Sequence, residues 1–278
     1  QGYALVPADR KQRLTQHWEF IRQDMGSCWE VTRTVPAGKP ETVPLWQEVT
    51  LPHCFNAEDA VDPDVNYYQG PGWYRTTLHI DNPYKDGRVY LEFEGAGQKT
   101  EVYIYTNHVG SHIGGYDKWK VDITDAVVQF RSDPVSGKRF DGKIPVAIRC
   151  DNSRDTEMIP SDMSDFNLYG GLYRYVNLVY VPAVHFEQIR IEADTDAKGK
   201  QGTARLDITF NGLQSLKEKT TKLSVRIFSP EGKEIFSMQH DSLSEFKVQS
   251  VDFSLKHPQR WSPQHPALYS CLLEMVSG

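Results

Sequence analysis

Alternating apolar and polar residues run through much of the chain and predict β-strands. Residues 88–94 have the sequence RVYLEFE, in which Val89, Leu91 and Phe93 fall on one face of an extended segment. A period of two is typical of a half-buried antiparallel strand, with one face toward a core and the other toward solvent. Similar segments, rich in aromatic and β-branched residues, span 72–80, 101–105, 144–150 and 173–181.

Turn-forming residues separate these segments. We predict turns at Asn82-Pro83, at residues 85–87 and at Asn107-His108, the last joining two strands of a hairpin. A short helical turn is predicted after Asp122-Ile123-Thr124, where Thr124 or Asp122 can cap it. Strands with short connections predict an antiparallel β-sandwich for this part of the chain.

A second β-rich stretch begins after Val181-Pro182. Short strands at this spacing predict an immunoglobulin-like sandwich, although the chain lacks the Cys…Trp…Cys pattern of antibody domains. The simplest such sandwich has seven strands, so six candidates predict a domain without its last strand. The six candidate strands are residues 185–193, 203–211, 222–229, 233–239, 246–255 and 267–275.

Composition and charge narrow the functional classes. The 278 residues are 39% hydrophobic and 12% aromatic, which suits two globular domains. The net charge of −6 and the scattered Lys and Arg argue against nucleic acid as a partner. No apolar stretch approaches the roughly 20 residues of a membrane span. The four cysteines form no C-x-x-C pair, so buried structural cysteines are favoured over zinc ligands or a disulfide scaffold.

Common catalytic and metal-binding motifs are missing. The chain has no G-x-S-x-G, P-loop or H-E-x-x-H motif. Glu92 and Glu94 share a strand face, which a solvated strand explains. The acidic loop at residues 58–64 offers oxygen ligands for Ca²⁺ but does not fit the EF-hand pattern, so a solvated loop is favoured. We therefore expect no cofactor, with a structural Ca²⁺ as the weaker alternative.

Asp165 is the strongest candidate for a ligand-binding residue. It begins a segment that contains Phe166, Tyr169 and Tyr173 and the pair Gly170-Gly171. A carboxylate can accept hydrogen bonds from two neighbouring sugar hydroxyls, and an aromatic ring can stack on the sugar. Glycines allow close backbone approach or positive φ. The alternative is that Asp165 only caps or ties its loop.

Five ordered segments resemble glycoside hydrolase family 2, which includes β-galactosidases, β-glucuronidases and β-mannosidases. The resemblance covers most of the chain, although the family commonly has Asn-Gly where this chain has Asn107-His108. The segments are VTLPH (49–53), YQGPGWYR (68–75), the residues EFEGA, VY, N, VG, H, GGY and DIT between 92 and 124, DFNLYGGLYR (165–174) and RWSP…PALY (260–269).

The resemblance implies an all-β chain of two domains. Residues 1–182 would form a jelly-roll (galactose-binding-like) β-sandwich, and residues 183–278 an immunoglobulin-like β-sandwich. The family's two catalytic carboxylates lie on a barrel that follows these domains, about 5–5.5 Å apart as in retaining glycosidases. This chain contains no Asn-Glu dipeptide, where the family places its acid/base, so we expect no catalytic residue here.

The implied function is that of a non-catalytic amino-terminal part of a retaining β-glycosidase of the β-galactosidase type. In the family an Asp at the place of Asp165 reaches the sugar in the barrel, as does a loop at the place of Gln69, where the residue itself differs. Gln69 can equally be a plain loop residue. The expected partners are a β-linked glycan or glycoside and the parent's barrel, and the expected location is periplasmic or secreted. The alternatives are a free-standing carbohydrate-binding module and an adhesion module.

Overall fold

The computed structural model describes residues 10–33, 46–160, 167–213, 221–241 and 248–277. The chain divides into two compact units, with the division between Tyr180 and Val181. Both units are built from antiparallel strands, and the only helices in the described ranges belong to the first unit. The chain is therefore all-β, a jelly-roll β-sandwich followed in sequence by an immunoglobulin-like β-sandwich, as predicted.

The first unit contains all five strands predicted for it. Its strands in the described ranges are Lys11–Arg13 (β1), Trp18–Ile21 (β2), Gln47–Val49 (β3), Pro71–Leu78 (β4), Arg88–Phe93 (β5), Lys99–Ile104 (β6), Asn107–Ile113 (β7), Trp119–Asp122 (β8), Ile144–Asp151 (β9) and Val176–Val181 (β10). Its helices are Cys28–Thr32 (α1), Thr124–Ser132 (α2) and Pro134–Arg139 (α3). Helix α2 begins at Thr124, within the segment predicted to precede a helical turn; its N-cap position is Ile123, and Asp122 accepts the Thr124 N–H at 2.9 Å.

Two sheets enclose the core of the first unit. One has the order β3-β2-β4-β9-β6-β7 and the other the order β1-β10-β5-β8. Leu91 and Phe93 of β5 are fully buried, as their alternation predicts, and they pack with Trp18, Ile148 and Leu178 from both sheets. Burial of large side chains of this kind supplies the main stabilisation of a sandwich.

The outer face of β5 differs from the solvated face that its sequence suggests. The side chain of Glu92 is only 12% exposed, because Lys11 and Lys118 reach it at 2.5 and 2.7 Å. Asn177 of β10, itself buried, donates to the same carboxylate at 3.3 Å. Burial alone raises the pKa of Glu92, but the two lysines outweigh it and hold that pKa below its ordinary value.

The turn predicted at Asn107-His108 is wrong by two residues. Strand β7 already begins at Asn107, which pairs with Ile104, so Tyr105 and Thr106 form the hairpin loop. Tyr105 adopts a φ of 54°, which is unusual for a residue with a side chain. Its ring packs against Phe130 and Phe140 at 5.6 and 5.7 Å, and this tertiary contact offsets the local cost.

The second unit is described by six strands in two sheets. They are His185–Thr195 (β11), Gln201–Asn211 (β12), Thr221–Phe228 (β13), Glu234–His240 (β14), Val248–Lys256 (β15) and Ser270–Ser277 (β16). The sheet orders are β11-β12-β15 and β14-β13-β16, around a core that includes Phe210, Leu223 and Val225. Residues 214–220 and 242–247 lie outside the described ranges, so the expected absence of a last strand stays a prediction.

The helices of the first unit are short. In the part of the chain that the structure describes, none has the length and apolar character needed to cross a lipid bilayer.

Candidate functional site

Several loops meet at one end of the first sandwich, and we call this end the rim. It comprises residues 53–56, 66–70, 95–98, 114–116 and 167–173. Backbone hydrogen bonds join the segments directly, from His53 N to Leu172 O at 2.8 Å and from Phe55 N to Gly170 O at 3.1 Å. Gly97 and Gly171 exchange a reciprocal pair at 2.9 and 3.2 Å. The rim is thus a hydrogen-bonded frame.

The glycine pair 170-171 is required by this packing, as its sequence suggested. A Cβ on Gly170 would lie 2.1 Å from Cζ of Phe55, so the backbone passes directly against that ring. Gly171 has a φ of +100°, and a Cβ there would lie 2.3 Å from the Tyr74 hydroxyl. One glycine therefore supplies close approach, and the other supplies close approach together with a conformation that side chains disfavour.

Two buried asparagines, Asn56 and Asn152, hold the loops together, and we call the pair the amide clamp. Asn56 Nδ2 donates to Leu168 O at 2.9 Å and to Tyr68 O at 3.3 Å, and Asn152 Nδ2 donates to the same oxygens at 2.8 and 3.2 Å. Their Oδ1 atoms accept the N–H groups of Gly170 and Gly70, each at 2.9 Å. Both side chains are at most 1% exposed. Buried amides with satisfied donors and acceptors make a stiff connection.

Arg22 fixes the acidic loop against the same frame. Its Nη1 donates to Phe55 O at 3.0 Å and to both Asp59 oxygens at 3.2 Å, while its guanidinium lies 5.0 Å from the Tyr68 ring centroid. Asp59 also accepts the Tyr68 N–H at 3.0 Å. The carboxylate of Asp59 thus already accepts hydrogen bonds from protein donors.

Three tyrosine rings lie close together on the rim. The ring centroid of Tyr173 is 6.3 Å from that of Tyr116 and 6.4 Å from that of Tyr169. Its hydroxyl donates to Gly115 O, and burial raises its pKa to about 12. Tyr116 and Tyr169 are 54% and 41% exposed. The cluster therefore consists of one fixed ring and two partly exposed rings, a surface suited to stacking on another ring.

Tyr74 anchors the rim to the core. Its hydroxyl is fully buried, accepts the Leu172 N–H at 3.3 Å and donates to His53 O at 3.2 Å. The ring nitrogen Nδ1 of His53 lies 2.9 Å from the same hydroxyl. Burial raises the pKa of Tyr74 well above its ordinary value and lowers the pKa of His53.

The lowered pKa of His53 predicts that acid destabilises the first unit. Between the unfolded value of 6.5 and the lower folded value, the unfolded chain binds more protons, so stability falls as the pH drops through this window. We expect urea denaturation to give a smaller free energy of unfolding at pH 5.5 than at pH 7.5. The difference should shrink in His53→Phe, in which Tyr74 keeps its backbone acceptor. An unchanged pH dependence in that variant would contradict this assignment.

The two residues proposed from the sequence have different outcomes. Gln69 lies on the rim, half-buried, between the clamped residues Tyr68 and Gly70. Asp165 lies outside the described residues, so its role stays a prediction. Sequence reasoning missed Asn56 and Asn152, which follow Phe55 and Asp151 as ordinary turn-forming residues. Nothing in their spacing reveals that both reach the same two carbonyl groups.

The structure supplies no metal cluster in the ranges it describes, where no three His, Cys, Asp or Glu side chains converge. All four cysteines are unpaired; Cys28 and Cys150 are buried, and burial raises the pKa of each to about 12. Cys54 and Cys271 are half-buried, and burial raises their pKa values too. Protonated thiols of this kind behave as small apolar side chains.

The fold and rim define a class of protein: two tandem β-sandwiches, the first with a rigid end lined by aromatic rings. Comparison with known families identifies the family to which the chain belongs. The model for the sugar-binding domain of glycosyl hydrolases family 2 matches residues 29–182, and a second model of family 2 matches residues 184–278. The chain belongs to glycoside hydrolase family 2. Its two matched domains leave no room for a catalytic barrel within these 278 residues.

Similar proteins include β-glucuronidases and β-galactosidases. The chain is 68% identical to Bacteroides uniformis β-glucuronidase 3, with a TM-score of 0.87. The match covers 98% of this chain and 35% of the other one. It is 51% identical to the Parabacteroides merdae β-glucuronidase, with a TM-score of 0.91 and coverages of 99% and 35%. A putative β-glucuronidase of Formosa agariphila is 32% identical over 83% of this chain and 26% of its own length. The chain thus spans about a third or less of these relatives.

Proposed function

We propose that this chain forms the two amino-terminal, non-catalytic domains of a longer retaining β-glycosidase, and that the substrate is a β-glucuronide. The observation that carries the proposal is the rim, a rigid end of the first sandwich with an unengaged Gln69 and exposed tyrosine rings. The similar proteins support the choice of sugar, because the three named above are β-glucuronidases. The β-galactosidase type expected from the sequence is a different activity of the same family, and similar proteins with that activity share less identity with this chain.

In this proposal the rim completes one wall of the substrate pocket and the barrel supplies the catalytic carboxylates. Asp165 accepts hydrogen bonds from sugar hydroxyls. Gln69, on the neighbouring loop, donates a hydrogen bond to the sugar or accepts one from it. Segment 167–173, which begins two residues after Asp165, is fixed by the amide clamp and by Tyr74. A periplasmic or secreted location fits a glycan substrate and belongs to the same proposal. A free-standing carbohydrate-binding or adhesion module is the less favoured alternative.

The chain alone should have no glycosidase activity. Hydrolysis with retention needs two carboxylates about 5–5.5 Å apart, one as acid/base and one as nucleophile, and these belong to the barrel in our proposal. We expect the purified 278-residue chain to release no nitrophenol from nitrophenyl β-glucuronide, whereas the longer protein that includes the barrel releases it readily. Turnover by the chain alone that an active-site-directed inhibitor abolishes would overturn the proposal.

A further inference from the structure

The amide clamp binds the backbone immediately on either side of two side chains. Tyr68 O and Gly70 N flank Gln69, and both are held by Asn152. Leu168 O and Gly170 N flank Tyr169, and both are held by Asn56. The two asparagines also share Leu168 O and Tyr68 O as acceptors, so the two loops are fixed to each other as well as to the sandwich.

The side chains between the clamped positions remain available to a ligand. Tyr169 is 41% exposed, and its ring centroid lies 6.4 Å from that of Tyr173. Gln69 is half-buried, and no side chain or backbone group in the described ranges forms a hydrogen bond with its amide. A phenol ring offers an apolar face to sugar C–H groups, and an amide offers a donor and an acceptor to sugar hydroxyls or a carboxylate.

Holding the backbone rigidly at both positions reduces the ordering that binding must accomplish. A side chain whose neighbours are fixed loses less conformational freedom when it contacts a ligand, which favours affinity. The clamp residues are buried and cannot touch the ligand themselves. Their contribution must therefore pass through the residues they hold.

We infer that Tyr169 contacts the substrate beside Gln69 at the rim, with Asn56 and Asn152 as the positioning residues of the two side chains. This inference rests on the proposed function, because it adds Tyr169 and the two asparagines to the substrate wall in which Gln69 was already placed. The ligand class is a pyranose ring of the glycoside, with the Tyr169 ring against its face and the Gln69 amide on its polar substituents.

The first test uses the full-length glycosidase and nitrophenyl β-glucuronide. Tyr169→Ala should raise KM about tenfold with kcat within about threefold, the scale of one lost aromatic contact. Tyr169→Phe keeps the ring and should restore KM to within about twofold. The matched control is Trp29→Ala, an aromatic residue 48% exposed beside Tyr105 at the opposite end of the sandwich, which should leave KM unchanged.

The second test separates positioning from general stability. Asn56→Ala should raise KM about tenfold in the wild-type background but about threefold or less in the Tyr169→Ala background, because Asn56 holds the backbone on both sides of that ring. Equal factors in both backgrounds would overturn the positioning role. Should Asn56→Ala fail to fold, hydrogen exchange of the wild-type protein decides: the Gly70 and Gly170 amides should be protected, and exchange as fast as in open loops would overturn it.

The outcomes distinguish this inference from the proposed function. Full-length protein without turnover of β-glucuronides contradicts the proposed function, and the inference falls with it. Full-length protein with turnover whose KM is unchanged by Tyr169→Ala contradicts the inference alone.

Discussion

Replacing Asp165 by alanine is expected to lower kcat/KM of the full-length glycosidase about 100-fold on an aryl β-glucuronide. A hydrogen bond to an ionised group contributes roughly 1.5–3 kcal/mol, and about 1.4 kcal/mol corresponds to a factor of ten. For a carboxylate that accepts hydrogen bonds from two hydroxyls, we expect a contribution near the upper end of that range. Asp165→Asn keeps one acceptor oxygen, so its kcat/KM should lie between that of the wild type and that of Asp165→Ala. Steady-state kinetics at several substrate concentrations measure the effect.

The control for this prediction removes a carboxylate that takes no part in the rim. Asp125 of helix α2 is 86% exposed and pairs with Arg88 at the surface, an interaction of small expected value. Asp125→Ala should leave kcat/KM unchanged. A decrease of less than threefold in Asp165→Ala would show that this carboxylate only ties its loop, and the substrate-wall proposal would lose its central residue.

Gly170→Ala is expected to destabilise the first sandwich by about 3 kcal/mol or to prevent its folding. The added Cβ would lie 2.1 and 2.2 Å from two carbons of the Phe55 ring, which is itself stacked 5.6 Å from Phe20. Neither loop can withdraw easily, because Gly170 O accepts the Phe55 N–H and Gly170 N donates to Asn56. Overpacking of this kind typically costs 1–3 kcal/mol and sometimes more. Urea denaturation, monitored by tryptophan fluorescence, measures the change in the free energy of unfolding.

Two variants make the explanation specific. Gly137→Ala in helix α3 adds a Cβ with nothing within 4 Å, so it should be neutral or slightly stabilising. Phe55→Ala removes the ring that Gly170→Ala strikes, and the double variant should be less destabilised than the sum of the two single changes. If the losses of stability in the double variant were additive, the cost of Gly170→Ala would not arise from its contact with the Phe55 ring.

Local patterns determined the elements of this protein. Strand β5 follows from the alternation of residues 88–94, and the second unit follows from turn residues such as Asn211-Gly212, where Gly212 has a φ of +80°. The role of the glycine pair 170-171 was predicted from residue type within the aromatic segment that begins at Asp165, because glycine permits close approach and positive φ. These features depend on neighbours within a few residues, which a sequence displays directly.

Tertiary contacts decided the features that local patterns could not show. Tyr105 takes the strained turn position because its ring packs against Phe130 and Phe140, and Glu92 is buried because two lysines from distant segments reach it. Asn56 bonds to a residue 112 positions away and Asn152 to one 84 positions away. Sequence alone supplied the residues of the rim, whereas only folding brought two unremarkable asparagines to the same two carbonyl oxygens, since that arrangement depends on how the sheets pack.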